Sequence, residues 1–135
     1  MKLGQSLGLT VYSLSEAIEK IRAGLPIKSL ETFRLASGLP MEQLIRVLRI
    51  APRTLARRKI QGRLSIDESE RLIRLGRVLE QALDMVGGNA QDAREWLATP
   101  APSLNGQTPW EMAQTELGAE KVLNLIECLI HGVFV

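Results

Sequence analysis

Two short helices and the turn between them are encoded by residues 40–65, which read PMEQLIRVLRIAPRTLARRKIQGRLS. Proline is favoured in the first turn of a helix, and Pro40 and Pro52 each stand where a helix can begin. Apolar residues recur after each proline at helical spacing. We therefore expect helices over residues 40–48 and 52–60, joined by a turn of about four residues as in a helix-turn-helix, whose second helix can enter the major groove of DNA.

Positive charge is concentrated on these two helices. Residues 43–66 contain seven Lys or Arg and no acid. In the second helix we expect Leu55, Ala56 and Ile60 to face the core, which leaves the basic side chains outside. A charge run is usually a solvated face, but an excess with no acidic partner is typical of a surface that binds a polyanion.

The outward side chains suit contacts with duplex DNA. Guanidinium groups can bridge phosphates or pair with O6 and N7 of guanine. The predicted DNA-binding residues are, for bases, Arg53, Thr54 and Arg57; for phosphates, Arg58, Lys59 and Arg63; and, on the same surface, Arg46, Arg49 and Gln61. The turn Arg49-Ile50-Ala51 lacks a glycine, so a left-handed residue there would cost about 1 kcal/mol.

Charge also divides the whole chain. Residues 1–77 hold fifteen of the seventeen Lys and Arg together with seven acids, whereas residues 78–135 hold two basic residues and eight acids. This division predicts two surfaces with two different partners. We place a helix-turn-helix domain at 1–77, with its core at about 28–64, and a second helical domain at 78–135. The boundary between them falls inside one long helix.

The rest of the sequence is also helical, with no convincing alternation of apolar and polar residues, so the predicted fold class is all-α. Capping-box patterns at Ser13–Glu16 and Ser65–Glu68 mark two helix starts. Leucines recur along the long helix after Ser65 and are candidates either for dimer contacts or for ordinary core burial; they are Leu72, Leu75, Leu79 and Leu83. The remaining helices are expected at 14–22, 29–37, 90–98 and 119–130, with a short one after Thr108.

Catalytic chemistry is not indicated by the residue types present. One histidine and one cysteine provide neither a suggestive nucleophile and base nor a structural zinc site, and no glycine-rich phosphate loop is found. We expect no enzyme activity, no cofactor and no metal. The N-terminus lacks a signal-peptide pattern, and no stretch approaches the roughly 20 apolar residues of a membrane span, which predicts a cytoplasmic protein.

Several short motifs occur in order along the acidic half. They are Trp96-Leu-Ala-Thr-Pro100, Leu104-Asn-Gly-Gln-Thr-Pro-Trp-Glu111, Thr115-Glu-Leu-Gly-Ala-Glu120, Val122-Leu-Asn-Leu125 and His131-Gly-Val-Phe134. Upstream, the series continues through Arg53-Thr-Leu-Ala-Arg-Arg58, Gly62-Arg-Leu-Ser65 and Asp67-Glu-Ser-Glu-Arg-Leu72. Over residues 28–135 the sequence resembles the Xre/MbcA/ParS antitoxin family, whose members pair with RES-domain toxins.

The resemblance implies an Xre-like helix-turn-helix bundle joined by a long helix to a small toxin-binding domain. Members of the family neutralise a toxin that degrades NAD⁺ and repress their own operon by binding its promoter. The implied partners are a cognate RES-domain toxin and double-stranded operator DNA. A homodimer is also expected, because one short recognition helix rarely gives enough affinity and two can read paired half-sites.

The resemblance also implies which residues touch the toxin. These are Glu120, Asn124, His131, Gly132, Val133, Phe134 and Val135, with Trp110 added because tryptophan is a common interface hot spot. The mechanism would be steric, since the antitoxin would cover the mouth of the toxin's active site. The alternative is a stand-alone transcription regulator whose second half dimerises or senses a ligand.

Overall fold

A computed structural model describes residues 4–132 and contains eight α-helices in that range, which confirms the all-α prediction. Two single-turn 3-10 helices lie at Gln5–Leu7 and Pro102–Leu104. The α-helices are α1 (Leu14–Ala23), α2 (Lys28–Ser37), α3 (Met41–Leu48), α4 (Pro52–Gln61), α5 (Ile66–Met85), α6 (Ala90–Leu97), α7 (Pro109–Met112) and α8 (Glu116–Ile130).

Local capping explains where most of these helices begin. Ser65 and Glu68 form the expected capping box at the start of α5, because each side chain bonds the other residue's backbone N–H. Helix α8 starts three residues before the predicted position. The hydroxyl of Thr115 accepts a hydrogen bond from the Gly118 N–H at 3.0 Å and so caps a turn that the apolar pattern alone did not indicate.

Helix α5 runs through the centre of a single apolar core. Its leucines Leu72, Leu75 and Leu79 are fully buried, and the cluster around them extends from the N-terminal 3-10 turn to α8. Leu83 is half-buried and packs against the same core. Of the two alternatives for this leucine series, ordinary core burial is confirmed for Leu72, Leu75 and Leu79, because fully buried side chains cannot also face a second copy.

The two charge halves are joined through α2. Phe33 on α2 packs edge-on against Trp110 on α7, with ring centroids 6.0 Å apart. Arg94 on α6 donates hydrogen bonds to the carbonyl oxygens of Leu35 at 3.0 Å and Ala36 at 3.1 Å. A side chain from the acidic half thus satisfies the open carbonyls at the end of a helix in the basic half.

The N-terminal segment is an element that sequence patterns did not reveal. The carboxylate of Glu80 on α5 accepts hydrogen bonds from the backbone N–H groups of Gly4 at 3.3 Å and Ser6 at 3.2 Å, and from the Ser6 hydroxyl at 2.6 Å. Leu7 and Val11 follow into the core. The segment is therefore part of the folded unit.

Within residues 4–132, no helix combines the length and the apolar character that crossing a membrane requires.

Candidate functional site

Helix α4 begins with a bare positive end. Pro52 occupies its first turn, Ala51 provides no capping side chain, and the first turn holds no acid. Each of the other seven α-helices in residues 4–132 has at least one acid in its first turn. The helix dipole and the open N–H groups at this end favour an approaching anion.

The turn before α4 carries the backbone strain that the missing glycine predicted. Arg49 ends α3 in the left-handed conformation, with φ 57° and ψ 45°. The turn is secured by backbone hydrogen bonds from the Arg49 N–H to the Arg46 carbonyl at 3.1 Å and from the Ile50 N–H to the Ile45 carbonyl at 2.9 Å. Both arginines are exposed beside the start of α4.

Arg58 does not belong to the free basic surface. Its Nε donates to Glu68 Oε1 at 2.7 Å and a terminal nitrogen donates to Glu68 Oε2 at 3.2 Å. Glu68 is 5% exposed. Burial raises the pKa of Glu68, but hydrogen bonds from Arg58 and Ser65 outweigh it and hold that pKa below its ordinary value. The predicted phosphate role of Arg58 is corrected, because its guanidinium is committed to this buried carboxylate.

The register of α4 also differs from the prediction. Leu55 is buried as expected, but Ala56 is exposed and Ile60 is 89% exposed. Both predictions of core burial were wrong, because Leu55 is the residue of α4 that enters the core. Opposite Leu55 lie Arg53, Arg57 and Ile60, spaced by four and three residues and all exposed. We call these three residues the α4 stripe.

Four other predicted DNA contacts have neighbours of their own. Thr54 is half-buried. Lys59 lies near Glu31, whose pKa is lowered mainly by the hydrogen bond from Arg34 and further by the positive charges of Arg34 and Lys59. Gln61 accepts a hydrogen bond from Arg58 at 3.0 Å, and Arg63 donates to the Gly24 carbonyl at 2.8 Å. Within residues 4–132, no acid forms a salt bridge with Arg46, Arg49, Arg53 or Arg57.

A second exposed row runs along α8. Glu120, Asn124, Glu127 and His131 are spaced by four, three and four residues and lie opposite the buried Val122 and Ile126. We call these four residues the α8 ridge. His131 Nε2 lies 3.2 Å from Glu127 Oε2. Gly132 is exposed beyond it, and the predicted contacts Val133, Phe134 and Val135 lie outside the described residues.

Trp110 does not belong to this second surface. Its side chain is 1% exposed and packs on Phe33 in the core. A residue this deeply buried cannot contact a partner without unpacking the centre of the fold. The predicted interface role of Trp110 is therefore corrected to a structural one.

A groove of about 550 Å³ runs beside the α8 ridge. Helix α5, helix α8 and the N-terminal segment form its walls, and Asn124 and Glu127 belong to its lining. Sequence reasoning missed the α5 side of this groove, although the reversal of charge within α5 marked it. The lining residues are Gln5, Arg77, Glu80, Gln81, Leu83, Asp84, Leu123, Asn124 and Glu127.

Within the described range, residues 4–132, no three or more His, Cys, Asp or Glu side chains are grouped so that they could hold a metal ion. Cys128 is a free thiol and is half-buried on α8.

Two family models match consecutive parts of the chain. Residues 16–77 match the antitoxin Xre-like helix-turn-helix domain, and residues 81–132 match the antitoxin Xre/MbcA/ParS C-terminal toxin-binding domain. The first match contains α4 and the α4 stripe, and the second contains the α8 ridge.

Similar proteins agree with these matches. The protein named antitoxin Xre of Yersinia enterocolitica is 33% identical, with 98% of this chain and 90% of that protein aligned. An antitoxin Xre of Photorhabdus laumondii is 32% identical over 84% of this chain and 77% of that protein. Among solved structures, a chain of the M. tuberculosis MbcT–MbcA toxin–antitoxin complex has the same fold, with a TM-score of 0.59 and 22% identity over 93% of this chain and 100% of that chain.

Proposed function

Because the chain belongs to the Xre antitoxin family, we propose that it neutralises a RES-domain toxin that degrades NAD⁺ and represses its own operon by binding promoter DNA. Toxin binding is supported by the match of residues 81–132 to the toxin-binding domain and by the similarity to an antitoxin Xre. The identity of the toxin as a RES enzyme follows from the resemblance of the C-terminal motifs. In this proposal the protein acts by binding rather than by catalysis.

The toxin-binding surface of this proposal is the α8 ridge with its adjoining groove. Large apolar side chains are exposed at both ends of α8: Leu117 is 77% exposed, and Ile130 is 42% exposed. Apolar residues beside a polar row are typical of a protein interface. The C-terminal residues that continue from His131 would cover the mouth of the toxin's active site and keep NAD⁺ out.

Co-expression with the neighbouring toxin gene tests this surface. Removal of residues 131–135 should release growth arrest and lower cellular NAD⁺, while promoter binding stays as in the full chain. The matched control is Gln91→Ala, an exposed residue on α6, which should leave both the growth and the NAD⁺ level protected. Growth arrest with unchanged NAD⁺ would contradict the RES assignment, and full protection by the truncated chain would contradict the assigned surface.

The DNA-binding surface of the proposal is the start of α4 with the α4 stripe. The observation that carries it is the combination of free arginines with a helix end that lacks any acid. Arg53 and Arg57 project on the exposed side of that helix, and Arg46 and Arg49 flank its start. A duplex laid against this surface would meet cations and open backbone N–H groups together.

We also propose a homodimer, in which two copies of α4 read half-sites about 34 Å apart. The face that suits the contact is on α1, where Leu14 and Ile18 are one helical turn apart and, like the preceding Tyr12, are exposed. Multi-angle light scattering of the Ile18→Glu variant should report one chain instead of two. Leu35→Glu, at an exposed position on α2, is the control that should remain dimeric. An unchanged mass for Ile18→Glu would contradict the α1 contact.

A further inference from the structure

Ile60 is the most exposed large apolar side chain within residues 4–132. It lies in the last turn of α4, on a helix where four of the six other exposed positions are polar or basic. Exposure of an isoleucine to water contributes nothing to the fold, since the free energy of folding is gained only where apolar area is removed from water. Single exposed apolar side chains are common on protein surfaces, but this one extends the row of exposed Arg53 and Arg57 and so belongs to the surface that α4 presents to a partner.

The position of Ile60 on α4 is set by the contacts of the other side of the helix. Leu55 fixes the inner side in the core, and Arg58 is tied to Glu68 at the start of α5. The outer side then presents Arg53, Arg57 and Ile60 in one row. At 1.5 Å per residue this row is about 10 Å long, which equals about three base-pair steps of 3.4 Å.

The chemistry of this row matches the groups that guanine and thymine present in the major groove. Arginine pairs with O6 and N7 of guanine, and apolar side chains contact the C5 methyl group of thymine, which is the apolar group in the major groove code. We propose that Ile60 is a specificity-determining residue that contacts a thymine methyl group about three base pairs from the base read by Arg53. This inference rests on the DNA binding proposed above and adds the base class that the C-terminal part of α4 selects.

A contact with a second copy of the chain is the competing explanation for Ile60. In a two-fold symmetric contact the same patch faces itself, so the arginines of the α4 stripe would meet the same arginines of the other copy. No acid in residues 4–132 forms a salt bridge with Arg53 or Arg57 and could offset that repulsion. The charges around Ile60 therefore favour a polyanion over a second copy.

A double-mutant cycle between the side chain and the methyl group tests the proposal. The full chain is first used to enrich binding sites from a randomised duplex library. Each thymine of the enriched duplex is then replaced singly by deoxyuridine, which removes only the C5 methyl group. Affinities are measured for the parent chain, Ile60→Ala and the control Leu35→Ala, which removes another exposed apolar side chain, on α2.

At one thymine in each half-site, removal of the methyl group should weaken the parent chain and Leu35→Ala about fourfold, the effect of one buried methyl-sized group. Ile60→Ala should bind the thymine and uracil duplexes equally. The proposal is overturned if no uracil position weakens binding by the parent chain, or if the loss of affinity persists in Ile60→Ala.

The outcomes also separate this proposal from DNA binding itself. If a duplex is enriched but no uracil position depends on Ile60, DNA binding stands and only the role of Ile60 is removed. If no duplex is enriched, both DNA binding and the role of Ile60 are removed. A lower mass for Ile60→Ala in light scattering, with uracil sensitivity unchanged, would assign the residue to a dimer contact instead.

Discussion

Helices α4 and α8 both present a row of exposed side chains, but they are held in place by different forces. On α8, four buried residues anchor the helix: Gly118, Ala119, Val122 and Ile126. On α4, Leu55 is the single buried residue, and the ion pair between Arg58 and Glu68 supplies the second attachment. The α8 ridge is thus positioned by packing, and the α4 stripe largely by electrostatics.

This difference indicates how each surface should respond to change. Close packing is insensitive to salt and pH but tolerates no added volume at its tightest contact. An ion pair tolerates volume changes nearby but depends on the charge state of both partners. Added side-chain volume should therefore disturb the α8 ridge, whereas a change of pH should disturb the α4 stripe.

The largest effect is expected at the closest contact of α8. A Cβ atom at Gly118 would lie far inside contact distance of the Met112 carbonyl oxygen, which belongs to the backbone of α7. Gly118→Ala should therefore lower the free energy of unfolding by about 3 kcal/mol or more, measured by urea denaturation. Gly76→Ala on α5 is the matched control. Its Cβ would meet the Ser6 hydroxyl at 3.2 Å, a contact that a shift of a few tenths of an ångström would relieve, so a loss as large as that of Gly118→Ala would contradict the packing account.

The ion pair that holds α4 should produce the next largest effect. Glu68→Gln should lower the free energy of unfolding at pH 7 by about 2 kcal/mol, less than for a fully dry pair because solvent reaches one side of it. The folded-state pKa of Glu68 is depressed, so this stabilisation is present above the ordinary carboxyl pKa of 4.5 and is lost as pH falls through the folded-state value. Urea midpoints of the parent and the variant should converge as the pH is lowered from 7 toward 3.

The adjacent Asp67 provides the control for this prediction. It is exposed in the same first turn of α5 and makes no salt bridge with a residue in the range 4–132. Asp67→Asn should change the urea midpoint only slightly and equally across this pH range. Parallel pH curves for Glu68→Gln and the parent chain would show that the carboxylate does not fix α4.

A smaller effect, on DNA rather than stability, should separate Arg57 from its neighbour Arg58. Arg57→Ala should leave the urea midpoint unchanged and weaken discrimination between operator and random DNA by about 1.5 kcal/mol, because one base contact is lost. Arg58→Ala should instead lower the urea midpoint, because Glu68 is left buried and unpaired. Fluorescence anisotropy with both duplexes provides the DNA measurement. Equal discrimination by Arg57→Ala and the parent would remove Arg57 from the base-reading set.

Local patterns predicted the parts of the fold that local chemistry decides. The capping box of Ser65 and the start of α4 at Pro52 were confirmed, because such signals act within a few residues. The register of α4 was mispredicted, because Ile60 looks like a core residue in sequence, whereas in the folded chain Leu55 is the buried residue of this helix. The engagement of Arg58 follows from the same tertiary packing.

Long-range contacts explain the other differences. Glu80 holds a segment 74 residues earlier in the chain at Ser6, and no local periodicity can indicate such a pairing. Trp110 is equally suited by composition to a core or an interface, and only its contact with Phe33 decides for the core. The candidate surfaces were thus predicted in outline from charge, while the membership of each depends on three-dimensional packing.

The smallest effect is expected when glycine replaces Arg49, the left-handed residue of the turn before α4. Arg49→Gly relieves the strain of a positive φ but increases the entropy of the unfolded chain, and the two terms oppose, so the free energy of unfolding should change by less than about 0.5 kcal/mol. Arg49→Val removes the same charge but places a branched side chain in the left-handed region, so it should lower that free energy by about 1–2 kcal/mol. Both variants should reduce the salt dependence of DNA binding by about one counterion, since each loses one phosphate contact. Equal stability of the two variants would mean that the turn relaxes, and an unchanged salt slope in both would place Arg49 outside the DNA surface.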